Sequence, residues 1–274
     1  MYEHTEMHRW IAESHQARQV AESFGIDADR YDRTRPSYPQ AMVDRIIDAS
    51  PGRDVLDVGM GTGIAARQFQ ATGCRVLGVE VDTRMAEFAR QHGSQVEVAK
   101  FENWEDYGRR FDIVIAGQSW HWIEPIAGAA KVAAVLRPGG RLALFWNAFE
   151  PPTALARVFT EVYGQGMPLS QAPVAAAPKS AAESYATMVV KAAAGLREVG
   201  GFSETEEWRF DWERSYTRDE WLDQLPTLGA LTQAPPDKLE QILVRVGAAI
   251  DAQGGSFTAH YTTVVGTATR TETP

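Results

Sequence analysis

Val55-Leu56-Asp57-Val58-Gly59-Met60-Gly61-Thr62-Gly63 decides how this chain folds. An apolar strand runs straight into a glycine loop, and a helix is expected behind it. Alternating glycines permit unusual φ/ψ values and let a ligand come close to the backbone. Twenty-one residues beyond Gly59, Glu80 closes a second apolar run, Val76-Leu77-Gly78-Val79. A carboxylate at that strand tip can accept both hydroxyls of a ribose lying across the strand ends. The spacing is G-x-G-x-G, and Ile64 stands where the last glycine of the dinucleotide fingerprint falls. That disfavours a pyrophosphate docked on the helix N-terminus. No Gly-Lys-Ser/Thr follows the loop, so a P-loop is excluded.

Outward from the loop, strands and helices alternate. Apolar runs recur at 55–58, 76–81, 96–99, 113–116 and 142–146, several of them separated by helical stretches. This rhythm predicts a parallel sheet covered on both faces. Arg137-Pro138-Gly139-Gly140 stops one helix and starts the next strand. Residues 151–200 carry several prolines among many alanines and read as broken helices. Strand patterns return at 205–212 and 257–269, with a helix expected over 236–250 between them. Upstream, Met7, Trp10, Ile11, Val20 and Phe24 are spaced as on a helix. The loop Tyr31-Asp32-Arg33-Thr34-Arg35-Pro36-Ser37-Tyr38-Pro39 then leads to a helix reaching about Ser50.

The 274 residues suffice for one α/β domain with insertions. Lys plus Arg number 27 against 36 Asp plus Glu, a net charge of −9 that argues against nucleic acid as the partner. The single cysteine, Cys74, allows no internal disulfide, which fits a reducing cytoplasm, and it reads as a half-buried small residue. Neither a signal-peptide pattern nor an apolar run of membrane-spanning length is expected. His4 and His8, four apart without a carboxylate, are too weak a pattern for a metal, and none is expected.

With VLDVGMGTG at 55–63, LGVEVD at 77–82 and VLRPGGRLAL at 135–144, the chain resembles the class I S-adenosylmethionine-dependent methyltransferases, strongly over residues 27–147 and more weakly beyond. The resemblance implies an α/β, Rossmann-like sheet of seven strands, mostly parallel with the last antiparallel, together with an N-terminal helical segment and a helical lid insertion. The expected organisation is a single domain over 1–274: a helical cap at 1–50, a cofactor-binding core at 51–150, a lid with the sixth strand at 151–235, and the last helix and strand at 236–274.

The resemblance also assigns roles to residues. Gly59, Gly61 and Gly63 lie under the methionine portion of S-adenosylmethionine, Asp57 holds its ammonium, and Glu80 takes the ribose. Val81 and Met85 line the adenine, whose amine goes to Glu102 or to the backbone of Phe101; many relatives have Asp where this chain has Lys100. Gln118 meets the methionine end through its backbone. The segment 31–39 is similar to that of the trans-aconitate methyltransferase-like branch, with Tyr31 and Arg35 near the cofactor's carboxylate and Tyr38 facing the acceptor.

Gln118-Ser119-Trp120-His121-Trp122 follows the fourth strand, whose tip should face the transferable methyl. His121 is the one histidine so placed; it serves either as a base for a phenol, alcohol or ring nitrogen, or only shapes the pocket. Trp120, Trp122 and Asn147 are candidate acceptor contacts, with core and turn roles as their alternatives. Tyr163, Met167, Tyr185, Met188 and Trp221 are candidates for an apolar lid wall. The expected reaction is O- or N-methylation of an apolar or aromatic small molecule. Carboxyl methylation of a small acid is the runner-up, although the loop 116–123 holds no cation to favour it. A nicotinamide oxidoreductase and a non-catalytic cofactor-binding module are the alternatives of other classes. The oligomeric state and the acceptor's identity stay open.

Overall fold

The computed structural model describes residues 23–166 and 181–271. All but the last two residues of the expected helix over 4–24, with His4, His8 and His15, and likewise Met167 and the side chain of Tyr163, lie outside the residues so described.

Seven strands form one sheet: β1 (Asp54–Val58), β2 (Arg75–Glu80), β3 (Gln95–Val98), β4 (Phe111–Gly117), β5 (Leu136–Glu150), β6 (Glu206–Thr217) and β7 (Ser256–Thr269). Their order is β3-β2-β1-β4-β5-β7-β6. β1 to β5 pair in parallel, whereas β7 runs antiparallel to both β5 and β6. The strands read from the sequence are all present. β5 extends well beyond 142–146, because ten of its residues, Arg141 to Glu150, pair with β7.

Successive side chains of the central strands alternate between two cores. Leu56, Val114, Leu142, Leu144 and Trp146 enter a core shared with α5 (Pro125–Val135) and α7 (Ala181–Val199). Val55, Ile113, Ile115, Ala143 and Phe145 face the opposite way, onto α2 (Gln40–Asp48), α3 (Ile64–Ala71) and α4 (Thr83–Gln91). Both faces are apolar, as a sheet covered by helices on both sides requires. Cys74 is buried in the second core at 7% exposure.

A third core differs from the expected boundary at 235. α6 (Thr153–Gly166), α8 (Arg218–Gln224) and α9 (Pro236–Asp251) pack together around Phe159, Trp221, Leu225 and Val246, against the ends of β6 and β7. α9 therefore shares this third core with α6 and α8, its apolar stripe packing on them and on the ends of β6 and β7. A capping box of Thr217 and Glu220 starts α8 directly at the end of β6, which fixes that helix over the carboxyl ends of the strands. The short helix α1 (Ala28–Thr34) completes the rim. Among the described residues no helix is long and apolar enough to cross a membrane.

Candidate active site

Asp57 ends β1 at 1% exposure, and its Oδ2 has no hydrogen-bond partner. Burial, reinforced by the charge of Glu80, pushes its carboxyl up to about 8. A buried acid with an unmatched oxygen is a waiting counterpart for a cation. Behind it the loop turns through Gly59, Gly61 and Gly63 at φ 69°, 58° and 89°. At Gly61 an added Cβ would meet nothing within 4 Å, so the loop there borders open space. Gly63 is the N-cap of α3, in a left-handed conformation that a side chain would strain.

Glu80 sits beneath this loop. Its Oε2 accepts the Gly61 amide at 2.7 Å, and its Oε1 accepts those of Val81 and Asp82, both at 2.8 Å. Burial raises its pKa while the three amides pull it back. The acid and the loop, well separated in sequence, thus form one unit. Met85 on α4 and Phe101 after β3 are buried at 3% and 2%, with Val81 half-buried at the β2 tip. Glu102 Oε1 accepts the Glu124 amide at 3.1 Å, at the start of α5. Lys100 is exposed.

At the β4 tip Gln118 takes φ 56°, and its amide donates to Phe145 O at 2.8 Å, leaving its carbonyl for other contacts. Tyr38 packs edge-on against Phe145 with ring centroids 4.6 Å apart. The Tyr38 hydroxyl stands 2.8 Å from where a Cβ on Gly117 would be, hence beside the β4 tip. Burial, with nearby Tyr31 and Asp57, raises the Tyr38 pKa well above the phenol range. Arg35 lies over the Tyr31 ring at 4.8 Å and donates an Nη2 bond to Thr227 O, while its buried Nε has no partner.

His121 lies in a helical turn at 120–122, and its Nδ1 accepts the indole N–H of Trp146 at 3.3 Å. A neutral imidazole has one lone pair on nitrogen, so this contact leaves Nε2 protonated and a donor. Burial lowers the His121 pKa to about 4. Of the two roles weighed for His121, both facts favour shaping the pocket over acting as a base. Trp120 also departs from its expected acceptor contact: it is 4% exposed and packs in the core with Phe101. Trp122 does face the rim, edge-on to Phe24 at 6.4 Å. Asn147 is in mid-strand rather than in a turn. Its Nδ2 donates to Ser37 O at 3.2 Å and its Oδ1 accepts from Thr263 at 2.7 Å, so it ties the 31–39 segment to the sheet.

A cavity of about 290 Å³ opens at these strand tips. Tyr38, Gln118 and Asn147 line it from the sheet side, and Tyr185 and Trp221 line it from the lid, while Met188 is core instead. Phe149, Gln224 and Tyr261 line it too and carry no motif. Phe149 was within reach of pattern reasoning, because it follows Asn147 by two positions on the same strand face. Gln224 had no such signal.

The sheet order and the glycine loop resemble those of class I S-adenosylmethionine-dependent methyltransferases. Residues 56–144 match the family model described as Methyltransferase domain. Uncharacterized methyltransferases of Mycobacterium bovis and Mycobacterium tuberculosis are 35% identical over 151 residues, which is 54% of this chain and 61% of theirs. The match thus spans about three fifths of those relatives. A demethylmenaquinone methyltransferase of Tropheryma whipplei is 26% identical over 162 residues, covering 53% of this chain and 65% of its own. A candidate type II methyltransferase from Anaeromyxobacter dehalogenans shares the fold with a TM-score of 0.63 at 23% identity, over 87% of this chain and 99% of that one.

Proposed function

We propose that this chain methylates a small, largely apolar molecule held at the tips of β4 and β5. The unmatched Asp57 carboxylate beside the glycine loop carries the reading, because it suits the cofactor's ammonium. S-Adenosylmethionine supplies an already activated methyl group, so the chain's task is to orient the acceptor and exclude water. In this reading Glu80 offers its carboxylate to the ribose, and the free Nε of Arg35 meets the cofactor's carboxylate. Val81, Met85, Phe101 and Glu102 form the adenine side, and the Gln118 carbonyl borders the methionine end. Tyr38 and Trp122 contact the acceptor. His121 shapes the pocket and donates from Nε2 instead of withdrawing a proton. A cavity of about 290 Å³ and a net charge of −9 favour a small molecule over nucleic acid.

Calorimetric titration with S-adenosylhomocysteine and with NAD tests the cofactor assignment. Binding of the first and none of the second is expected, given Ile64 in place of the third fingerprint glycine. NAD bound more tightly would return the oxidoreductase alternative.

A further inference from the structure

We infer that the free edge of β6 joins this chain to a second copy of itself, the two strands pairing antiparallel about a two-fold axis at Phe210.

β6 is the last strand of the sheet, and one side of it pairs with β7 along all twelve residues, Glu206 to Thr217. Among the described residues no strand covers the other side. A long strand with one unpaired side is a template for another strand, unless it is kept short, bulged, broken by proline or charged. β6 holds no proline, and its register with β7 runs without a bulge. Charge is the remaining protection, so its arrangement decides what the edge admits.

A two-fold axis normal to the sheet keeps each side chain on its own face of the joined sheet. With the axis at Phe210, residues equally far from it along the strand stand opposite each other. Arg209 then faces Asp211 and Glu206 faces Arg214, each contact made twice by symmetry. Arg209 and Asp211 are exposed on one face. On the other, Trp208 faces Trp212 and Phe210 faces its own copy; Phe210 and Trp212 are only half-buried in the single chain. Glu206 accepts from the Trp208 indole at 3.1 Å and Arg214 lies over the Tyr216 ring, so both charges are held in place before pairing. Glu207 against Glu213 is the one like-charged pair. Each already has a partner in its own chain: Glu207 accepts from Arg209 Nε at 2.7 Å, and Glu213 lies 3.0 Å from His260 Nδ1. Neighbouring registers are worse. An axis at Arg209 sets arginine on arginine and Glu207 on Asp211, and axes at Asp211 and Glu213 each set acid on acid. An axis at Trp212 brings Asp211 to Glu213, and one at Trp208 leaves Asp211 to Thr217 unpaired. Two copies at −9 each repel at long range, so a contact between them requires this local matching.

Sedimentation velocity on the full chain, at concentrations up to about 100 μM, tests the pairing. A monomer–dimer equilibrium is expected. Arg209→Asp and Asp211→Arg each turn two attractive contacts into repulsive ones and should weaken the dimer about 10-fold or more, while the two together restore it. Glu213→Lys removes the like-charged pair and should tighten the dimer about 10-fold, a gain that a folding defect does not produce. Thermal melts report that each variant is folded. A monomer at every concentration overturns the inference and leaves the edge to another partner. A dimer that ignores Arg209→Asp, is not restored by the double exchange or is not tightened by Glu213→Lys overturns it as well.

Discussion

Asp57 is folded into a site that it destabilises. Its carboxyl ionises near 4 in an unfolded chain and at about 8 in the fold. A raised acid pKa means that the unfolded state loses its proton first, so stability is full below about pH 4 and falls until the folded group ionises too. Asp57→Asn does not titrate. Its urea stability should pull ahead of the unaltered protein by up to about 1.4 kcal/mol per pH unit between about pH 5 and 8. The same variant should bind S-adenosylhomocysteine about 10- to 150-fold more weakly, for loss of a charged partner. A variant with no stability gain at pH 8 would place Asp57 outside the buried site.

His121 makes a second prediction at this scale. With Nδ1 on Trp146 and a pKa near 4, it should impose no break on turnover around pH 6 to 7. His121→Ala should raise the acceptor's Michaelis constant and leave kcat within a few-fold. A fall of about 100-fold in kcat, with loss of an acid limb, would instead mark a general base. The sequence pointed to this histidine by position alone. Its tautomer depends on Trp146, which is adjacent only once β4 and β5 pair, and no local pattern carries that information.

Among the elements, α1 is a strap between α8 and α3, and in the proposed reading it crosses the cofactor's mouth. Arg30 and Arg33 pair with Asp223 of α8 at 3.2 and 2.6 Å, and Asp32 pairs with Arg67 of α3 at 2.6 Å. Just before α1, Gly25 lies against the Asp82 carboxylate at the N-terminus of α4, so close that a Cβ would fall 2.3 Å from an oxygen. Asp223→Ala cuts one anchor. The arginines are about half exposed, so stability should change by less than about 1 kcal/mol. Release of S-adenosylhomocysteine, followed by stopped-flow, should quicken several-fold. An unchanged release rate would mean that α1 is fixed by its other contacts alone. The RPSYP segment was readable as ordered because aromatic and arginine residues crowd it. The partner of Arg33 on α8 was not, since Asp223 sits in an ordinary polar helix whose position is set by a capping box and a distant core.

For the whole molecule, the alternation of strand and helix between 54 and 146 was legible because each element carries its own period of burial. The packing of the third core was not, because α6, α8 and α9 lie far apart in the chain and meet only through the long-range packing of Phe159, Trp221 and Val246. The last strand ties these levels together. β7 lies between β5 and β6, with ten residue pairs to the first and twelve to the second. Truncation before Gly255 should therefore abolish S-adenosylhomocysteine binding and yield insoluble chain, although every glycine-loop residue is retained; a soluble, cofactor-binding truncation would show that β1 to β5 stand alone.

That strand order has a meaning for synthesis. While the chain is being made, β5 emerges long before the strand that will cover its edge. Between Glu150 and Thr269 lie more than a hundred residues, a delay of roughly 10 s at ribosomal speeds. During that interval an apolar edge is unsheltered and open to pairing with a neighbouring nascent chain. Closure of the sheet must wait for β7, so a chaperone that shields this edge would govern how much folded chain a cell recovers.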